Sequence, residues 1–185
     1  ISDELKFREK ISRFMRQMLV GILLVSSCVR AGSFTDGNEY SIKAMFLLNF
    51  IKYVEWPVES SSRTFKIGVV GDSEIYEALT SLAMQRSSEG QKVEIRRVDE
   101  KNASTFQMIF ISNSENNKMD ELIKQLSAKG VLIVSEDDKG KNKPAGINLF
   151  NQDNKIRFEI NLASVKNNGM KVSSKLLDLA TTVHH

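Results

Sequence analysis

The sequence predicts an α/β fold: a single domain with a mixed, mostly parallel sheet of about six strands, flanked by helices and closed by a C-terminal antiparallel hairpin. Two observations predict this class. Short apolar runs alternate along the chain with segments of helical period, an order typical of parallel strands joined by helices. The last two strand-like runs are joined only by Asn151-Gln152-Asp153-Asn154, and so short a polar connection favours antiparallel pairing.

Each element follows from the spacing of its apolar residues and from the residues that end it. Segments with apolar positions three and four apart are predicted helices, and continuous or alternating apolar runs are predicted strands. Trp56-Pro57 ends the first helix, because the residue before a proline is pushed out of the helical region, and Gly130 ends the third. The predicted elements are, in order, helix 39–54, strand 65–70, helix 74–84, strands 93–98 and 108–111, helix 115–129, strands 131–134, 145–150 and 155–162, and helices near 162–168 and 173–183.

The composition argues against several function classes. Residues 1–31 hold six basic and three acidic side chains, so the net charge of +3 lies there and residues 32–185 carry 20 charges of each sign. A domain without surplus positive charge releases few phosphate counterions, and we expect no nucleic-acid binding. One cysteine and two histidines offer no set of zinc ligands, and we expect neither a metal nor another cofactor. The two histidines, His184 and His185, are expected to lie in a frayed tail.

Residues 1–31 are predicted to be an N-terminal extension and signal peptide, and residues 32–185 the mature domain. The run MLVGILLVSSCV, at 18–29, follows two arginines and precedes small residues, which is the order of a secretory signal. It is too short to cross a membrane as a helix. Cleavage before Gly32 would release an exported domain. Lipidation at Cys28 is the alternative, because the residues before it resemble a lipobox, and an acyl chain would anchor the domain to a membrane.

Polar residues after two predicted strands mark a possible ligand pocket. Gly71, Asp72 and Ser73 follow strand 65–70, while Ser112 and Asn113 follow strand 108–111. The carboxyl ends of parallel strands are the usual place for a small ligand in an open α/β sheet, and a small-molecule sensor or solute-binding module would use this pocket. The glycine spacing of a dinucleotide site is absent, so a turn and a helix cap are the simpler interpretation.

A run of acids follows strand 131–134. Glu136, Asp137 and Asp138 could hold magnesium with Asp72, since carboxylate oxygens are the ligands that this cation prefers. Three lysines follow within five residues, which favours a solvated charged loop instead. A hydrolase that used Asp72 and Glu136 is the weakest possibility, because no histidine, cysteine or serine elbow is placed to complete a mechanism.

The predicted strand 155–162 has one apolar and one polar row. Ile156, Phe158 and Ile160 point to one side, and Arg157, Glu159 and Asn161 point to the other. The polar row either meets water or forms, together with the hairpin, a surface for a partner protein.

Three segments are distinctive when they are taken together. They are SIKAMFLLNFIKYVEWP at 41–57, FKIGVVGDS at 65–73, and INLFNQDNKIRFEINLASVKNNGMKVSSKLLDLA at 147–180. Together they resemble the YfiR family of periplasmic regulators, and the resemblance runs from about residue 39 to the end. The first and last segments are the specific ones, since the other fits many α/β proteins.

The resemblance implies a periplasmic protein that is not an enzyme. It would bind and inhibit the periplasmic domain of an inner-membrane diguanylate cyclase of the YfiN type, which lowers cyclic-di-GMP and biofilm formation. An outer-membrane lipoprotein of the YfiB type would be able to sequester it, and a homodimer is also implied. Partner contacts are implied for Glu159 and, as further candidates, Leu149, Phe150 and Val165. The paired cysteines of the family are absent from residues 32–185, so disulfide-based redox control is not implied for this chain.

Overall fold

The computed structural model describes residues 36–57, 64–71, 73–86, 92–137 and 145–185, all within one compact unit. The helices in these ranges are α1 (Asp36–Tyr53), α2 (Ile75–Arg86), α3 (Met119–Leu126), α4 (Leu162–Asn167) and α5 (Ser174–Leu179), with the 3₁₀ helices η1 (Glu100–Thr105) and η2 (Asn113–Lys118). The strands are β1 (Val54–Glu55), β2 (Thr64–Val70), β3 (Lys92–Arg97), β4 (Met108–Ile111), β5 (Leu132–Glu136), β6 (Ile147–Gln152), β7 (Lys155–Asn161), β8 (Lys171–Val172) and β9 (Thr182–His184).

The main sheet has seven strands in the order β3-β2-β4-β5-β6-β7-β9. The first five strands in this order are parallel, β6 and β7 are antiparallel, and β9 runs parallel to β7. A separate antiparallel pair joins β1 to β8. The predicted class, a mixed and mostly parallel sheet with a C-terminal hairpin, is confirmed. The sheet is one strand larger than expected because β9 adds to its edge.

The strands bury the residues that their sequence pattern predicts. All four residues of β4 and all five of β5 are buried, as expected of central strands covered on both faces, whereas β7 alternates between buried and more exposed positions. The turn between β6 and β7 places Asp153 at φ 52° and Asn154 at φ 58°. Asp and Asn tolerate this left-handed backbone, which two-residue hairpin turns require, and the predicted hairpin forms for that reason.

The two faces of the sheet bury separate apolar layers. On one face, α1 packs on the hairpin, where the Phe158 ring lies 5.5 Å from the rings of both Phe46 and Phe50. This layer also holds the inward residues of β2 and β4, such as Ile67 and Met108. On the other face, α3 and η1 cover the alternate residues of the same strands. The sheet contributes Val70, Ile109, Ile111 and Ile133 to that second layer, and Val131 joins it just before β5. Side chains that alternate along each strand therefore build both layers.

Two predicted helices differ from the structure. Segment 115–129 begins as η2 and becomes an α-helix only at Met119. The Ser112 hydroxyl does not cap it, because it is hydrogen-bonded to Ser114 Oγ at 2.9 Å. The helix expected at 173–183 ends at Leu179, and Thr181 N then donates to Phe158 O at 2.9 Å, which starts the pairing of β9 with β7. The expectation of a frayed tail is therefore wrong for His184, which lies within β9.

Ala128, which follows α3, has a left-handed backbone with φ 56°. This conformation costs about 1 kcal/mol in a residue with a Cβ, whereas glycine adopts it freely. We expect Ala128→Gly to raise the free energy of unfolding by up to about 1 kcal/mol, measured by urea denaturation. Ala163→Gly, at an exposed position within α4, is the matched control and should lower it by about 0.5–1 kcal/mol. Destabilisation by both variants would contradict the assignment of strain to Ala128.

Candidate partner-binding surface

The hairpin of β6 and β7 has a polar face turned away from α1. Residues directly opposite each other in an antiparallel pair point to the same side of the sheet. Phe158 faces α1, so its neighbour Glu159 and the cross-strand pairs Asn148–Glu159 and Phe150–Arg157 lie on the opposite side. Arg157 is exposed and Phe150 is half-buried there. This side of the sheet therefore combines an accessible guanidinium with part of an aromatic ring.

Side-chain hydrogen bonds cross four neighbouring strands on this side. Ser135 Oγ of β5 is 2.8 Å from Asn148 Oδ1 of β6, and Asn148 Nδ2 donates to Glu159 Oε1 of β7 at 3.2 Å. Glu159 Oε2 lies 2.8 Å from His184 Nε2 of β9. Both carboxylate oxygens of Glu159 are thus engaged, and only 13% of its side chain is exposed. The carboxylate has a set position at the surface instead of projecting freely into water.

We call Phe150, Arg157, Glu159 and His184 the hairpin face. Aromatic and arginine side chains are the residues that most often carry binding energy at protein interfaces. Glu159 supplies a fixed negative charge beside them, and 33% of the His184 side chain is exposed next to it. The hairpin face is therefore suited to contact a protein, and nothing in it resembles a catalytic arrangement of nucleophile and base.

Two of the four residues that the resemblance implied as partner contacts lie in the core. Leu149 has no exposed surface and Val165 is 1% exposed. Leu149 is opposite Phe158 on the side of α1, because adjacent residues of a strand point to opposite faces, so it cannot share a surface with Phe150. We therefore remove Leu149 and Val165 from the candidate surface.

Two residues of the predicted ligand pocket, Gly71 and Ser112, lie against each other at the carboxyl ends of β2 and β4. Gly71 has φ 93°, and a Cβ at this position would lie 2.5 Å from Glu115 Cγ and closer still to Ser112 Oγ. Ser112 is 3% exposed. The structure thus brings Gly71 and Ser112 together, as expected, but their contact leaves no room for a ligand between them. Their role here is packing and a turn.

The remaining predicted pocket residues have local roles. The Ser73 hydroxyl accepts a hydrogen bond from Ile75 N at 3.4 Å at the start of α2, and Asn113 Oδ1 accepts from Asn116 Nδ2 at 2.9 Å. Asp72 lies outside the described residues, as does the predicted signal peptide with Cys28. Among the residues that the structure describes, no group of three or more His, Cys, Asp or Glu side chains is placed to hold a metal ion.

Sequence reasoning missed a buried lysine. Lys43 of α1 has no exposed surface, and its ammonium contacts Glu136 at the end of β5 and Glu39 at 2.5 Å. Glu39 Oε2 also accepts a hydrogen bond from Asn151 Nδ2 at 3.1 Å. Glu136 is 7% exposed and Asp137 is 4% exposed, so the interpretation of 136–138 as a solvated loop is wrong for both residues, and the Glu136 carboxylate is paired with the Lys43 ammonium. We call Glu39, Lys43 and Glu136 the lysine clamp.

The position of Lys43 in α1 could have predicted its burial. Lys43, Leu47 and Phe50 lie on one helical stripe, at i, i+4 and i+7, and the other two have no exposed surface. Burial favours the neutral amine and acts to lower the pKa of Lys43. The hydrogen bonds that its ammonium donates to Glu136 and Glu39, together with the charges of these carboxylates, outweigh burial, so the pKa lies above its usual 10.5. Burial, followed by the nearby Glu136 charge, raises the pKa of Tyr40, whose ring is 5.3 Å from Lys43 Nζ.

Comparison with known proteins places the chain in a family. The profile of the YfiR/HmsC-like family matches residues 40–181, well over half of the chain. The crystal structure of a conserved domain protein from Vibrio cholerae O1 biovar eltor is similar in fold, with a TM-score of 0.51 and 11% identity. That match covers 78% of this chain and 60% of the Vibrio chain, so this chain spans less than two thirds of the length of that protein.

A second solved structure is more distant. The ABC domain from Streptococcus pneumonia, solved in complex with L-Trp, matches with a TM-score of 0.48 and 9% identity, over 64% of this chain and 56% of that one. Within the ranges that the structure describes, every helix is too short or too polar to cross a bilayer. On the match over residues 40–181, the chain belongs to the YfiR/HmsC-like family.

Proposed function

We propose that this protein binds the periplasmic domain of an inner-membrane diguanylate cyclase of the YfiN type and holds the cyclase inactive. Membership of the YfiR/HmsC-like family is the observation that carries the proposal. An inhibitor of this kind need not make or break bonds. It has to bind the inactive conformation of the cyclase better than the active one, and a preference of a few kcal/mol is enough to shift the population. Lower cyclic-di-GMP and less biofilm follow from that shift.

The hairpin face is the proposed contact surface for the cyclase. Its carboxylate is held before binding, because both oxygens of Glu159 are already hydrogen-bonded to residues of neighbouring strands. Side chains that are ordered in the free protein lose less conformational entropy when a partner binds. Phe150 and Arg157 add accessible surface of the residue types enriched at the centres of interfaces. The surface is thus both polar enough to be stable in water and equipped to bind a protein.

Two further interactions belong to the same proposal. An outer-membrane lipoprotein of the YfiB type would relieve inhibition by sequestering the protein, and the protein would form a homodimer. Both rest on the resemblance of segments 41–57 and 147–180 to the family. A sequestering partner that used the hairpin face would compete directly with the cyclase, so one surface would serve both inhibition and release.

We expect Arg157→Glu to weaken binding to the cyclase domain about tenfold or more, because it reverses the charge at the most accessible residue of the hairpin face. Glu159→Arg should have a similar effect. Biolayer interferometry with the immobilised periplasmic domain of the cyclase measures the affinity, and thermal melting shows that each variant is folded. Lys124→Glu, at an exposed position of α3, is the charge-matched control and should bind as the wild type does.

Different results would contradict the proposed contact surface and the proposed function. Unchanged affinity in both Arg157→Glu and Glu159→Arg would show that the hairpin face is not the contact surface, while the proposed function would stand. If the wild-type protein neither binds the cyclase domain nor lowers cyclic-di-GMP synthesis by the full-length cyclase in membranes, the proposed function itself is wrong.

A further inference from the structure

A cavity of about 650 Å³ opens at the amino ends of β4 and β5. Its wall is formed by three connections together with the end of β1. The connections run from η1 to β4, from α3 to β5 and from α4 to β8. Its lining includes Pro57, Phe106, Gln107, Lys129, Asn167 and Gly169. The volume is within the range of small-molecule sites in proteins. The cavity lies at the opposite edge of the sheet from Gly71 and Ser112, which follow the carboxyl ends of β2 and β4.

The side chains that line the cavity favour an anion with hydroxyl groups. Among the described residues of this lining, Lys129 is the one that carries a charge, and that charge is positive. Gln107 Oε1 accepts from Lys66 N at 2.8 Å, which leaves its NH₂ group as the end that can donate to a ligand. Asn167 Nδ2 is 2.9 Å from Ser127 Oγ, which leaves its oxygen as an acceptor.

The backbone around the cavity is bent sharply at three places. Ala128 has φ 56°, Gly130 has φ 72° and Gly169 has φ 73°. Glycine adopts such angles without strain, but alanine does not, and strained residues persist mainly where a site requires their conformation. A Cβ at Gly169 would meet only Pro57 Cγ, at an ordinary 3.6 Å, so there is free space beside this residue of the wall.

We propose that this cavity binds a small polyhydroxylated carboxylate of the sugar-acid class. The carboxylate pairs with the Lys129 ammonium, a charge-assisted hydrogen bond that is stronger than one between neutral groups. Hydroxyl groups both donate and accept, so they satisfy the mixture of amide donors and acceptors that Gln107 and Asn167 present. The apolar face of a sugar ring matches the half-buried Pro57 side chain at the cavity. The site is independent of the hairpin face and of the proposed inhibition.

Isothermal titration calorimetry of the purified protein tests the site with three probes. D-glucuronate should bind, whereas D-glucose, which lacks the carboxylate, and cyclohexanecarboxylate, which lacks the hydroxyls, should each bind about tenfold more weakly or not at all. Lys129→Gln should weaken D-glucuronate binding about tenfold and leave the D-glucose result unchanged. Lys129 is exposed, so this variant should melt as the wild type does. Lys124→Gln, an exposed lysine outside the cavity lining, is the matched control.

Three results would overturn the proposal. They are no heat and no rise in melting temperature with millimolar D-glucuronate, equal affinity for D-glucuronate and D-glucose, and D-glucuronate affinity in Lys129→Gln equal to that of the wild type. The first result would show that the cavity does not bind D-glucuronate. The second would show that the carboxylate does not contribute to binding, and the third that Lys129 does not pair with it.

Discussion

Replacement of Lys43 by methionine is expected to lower the free energy of unfolding by about 3–5 kcal/mol, the usual cost of removing one partner from a buried ion pair. Among the three residues of the clamp there is no other cation for Glu136, whose carboxylate is 7% exposed and would be left without a partner inside the protein. Methionine fills a similar volume, so the loss would come from charge and not from a cavity. Urea denaturation followed by circular dichroism measures the effect.

Two further variants test whether the loss of stability comes from the unpaired Glu136 charge or from the replacement of a lysine by methionine in itself. Lys52→Met, at an exposed position near the end of the same helix, should change the stability by less than about 0.5 kcal/mol. The double variant Lys43→Met/Glu136→Met should recover most of the loss, because an apolar pair can replace a buried ion pair at little cost. If the double variant were as unstable as Lys43→Met alone, the lysine clamp would not be the cause.

The raised pKa of Lys43 sets the pH range in which the lysine clamp acts. A group whose pKa is higher in the folded than in the unfolded protein contributes stability that is fully present below the unfolded value. The contribution is lost only as the pH rises through the folded value, which for Lys43 lies above 10.5. The difference in stability between wild type and Lys43→Met should therefore stay constant from pH 7 to about pH 9. On the alkaline side, it should shrink only as the pH rises through the folded pKa of Lys43.

Gly71→Ala is expected to lower the free energy of unfolding by about 2–4 kcal/mol, from a positive φ and an overpacked contact together. The added Cβ would lie 2.5 Å from Glu115 Cγ and against the buried Ser112 hydroxyl. Since β2 and β4 are neighbours in the sheet, the clash would displace two central strand ends. Chemical denaturation of the purified variant measures this loss.

Gly169→Ala is the matched control for this variant. Gly169 also has a positive φ, 73°, but a Cβ there would meet only Pro57 Cγ at an ordinary 3.6 Å. It should cost only the backbone strain, about 1 kcal/mol. Equal losses in Gly71→Ala and Gly169→Ala would show that the crowding at Gly71 is not real. In that case the contact between Gly71 and Ser112 would no longer argue against the predicted ligand pocket.

Local patterns in the sequence were enough to predict most of the fold. The apolar runs of β2, β4 and β5 lie within one or two residues of their predicted bounds, because a buried central strand has to be continuously apolar. Asp153 and Asn154 identify the hairpin turn by residue type alone. β8 and β9 were missed because two or three residues carry no period, and only their pairing with β1 and β7 makes them strands.

The candidate surface was predicted only in part. The alternation of Ile156, Phe158 and Ile160 with polar residues correctly separates the two sides of β7. It does not reveal that Glu159 is held by Asn148 and His184, since these residues come from other strands. The same alternation, applied to β6, would have excluded Leu149 once Phe150 was placed outside.

By itself, the sequence determined the order of strands and helices, the hairpin and the family segments, because each depends on residues that are close together along the chain. The tertiary structure decided the lysine clamp, the fixed carboxylate of Glu159 and the cavity near Lys129. Each of these joins segments far apart in sequence, as Lys43 and Glu136 do. A side chain becomes buried, paired or part of a cavity wall only when distant segments pack, and no local period encodes that packing.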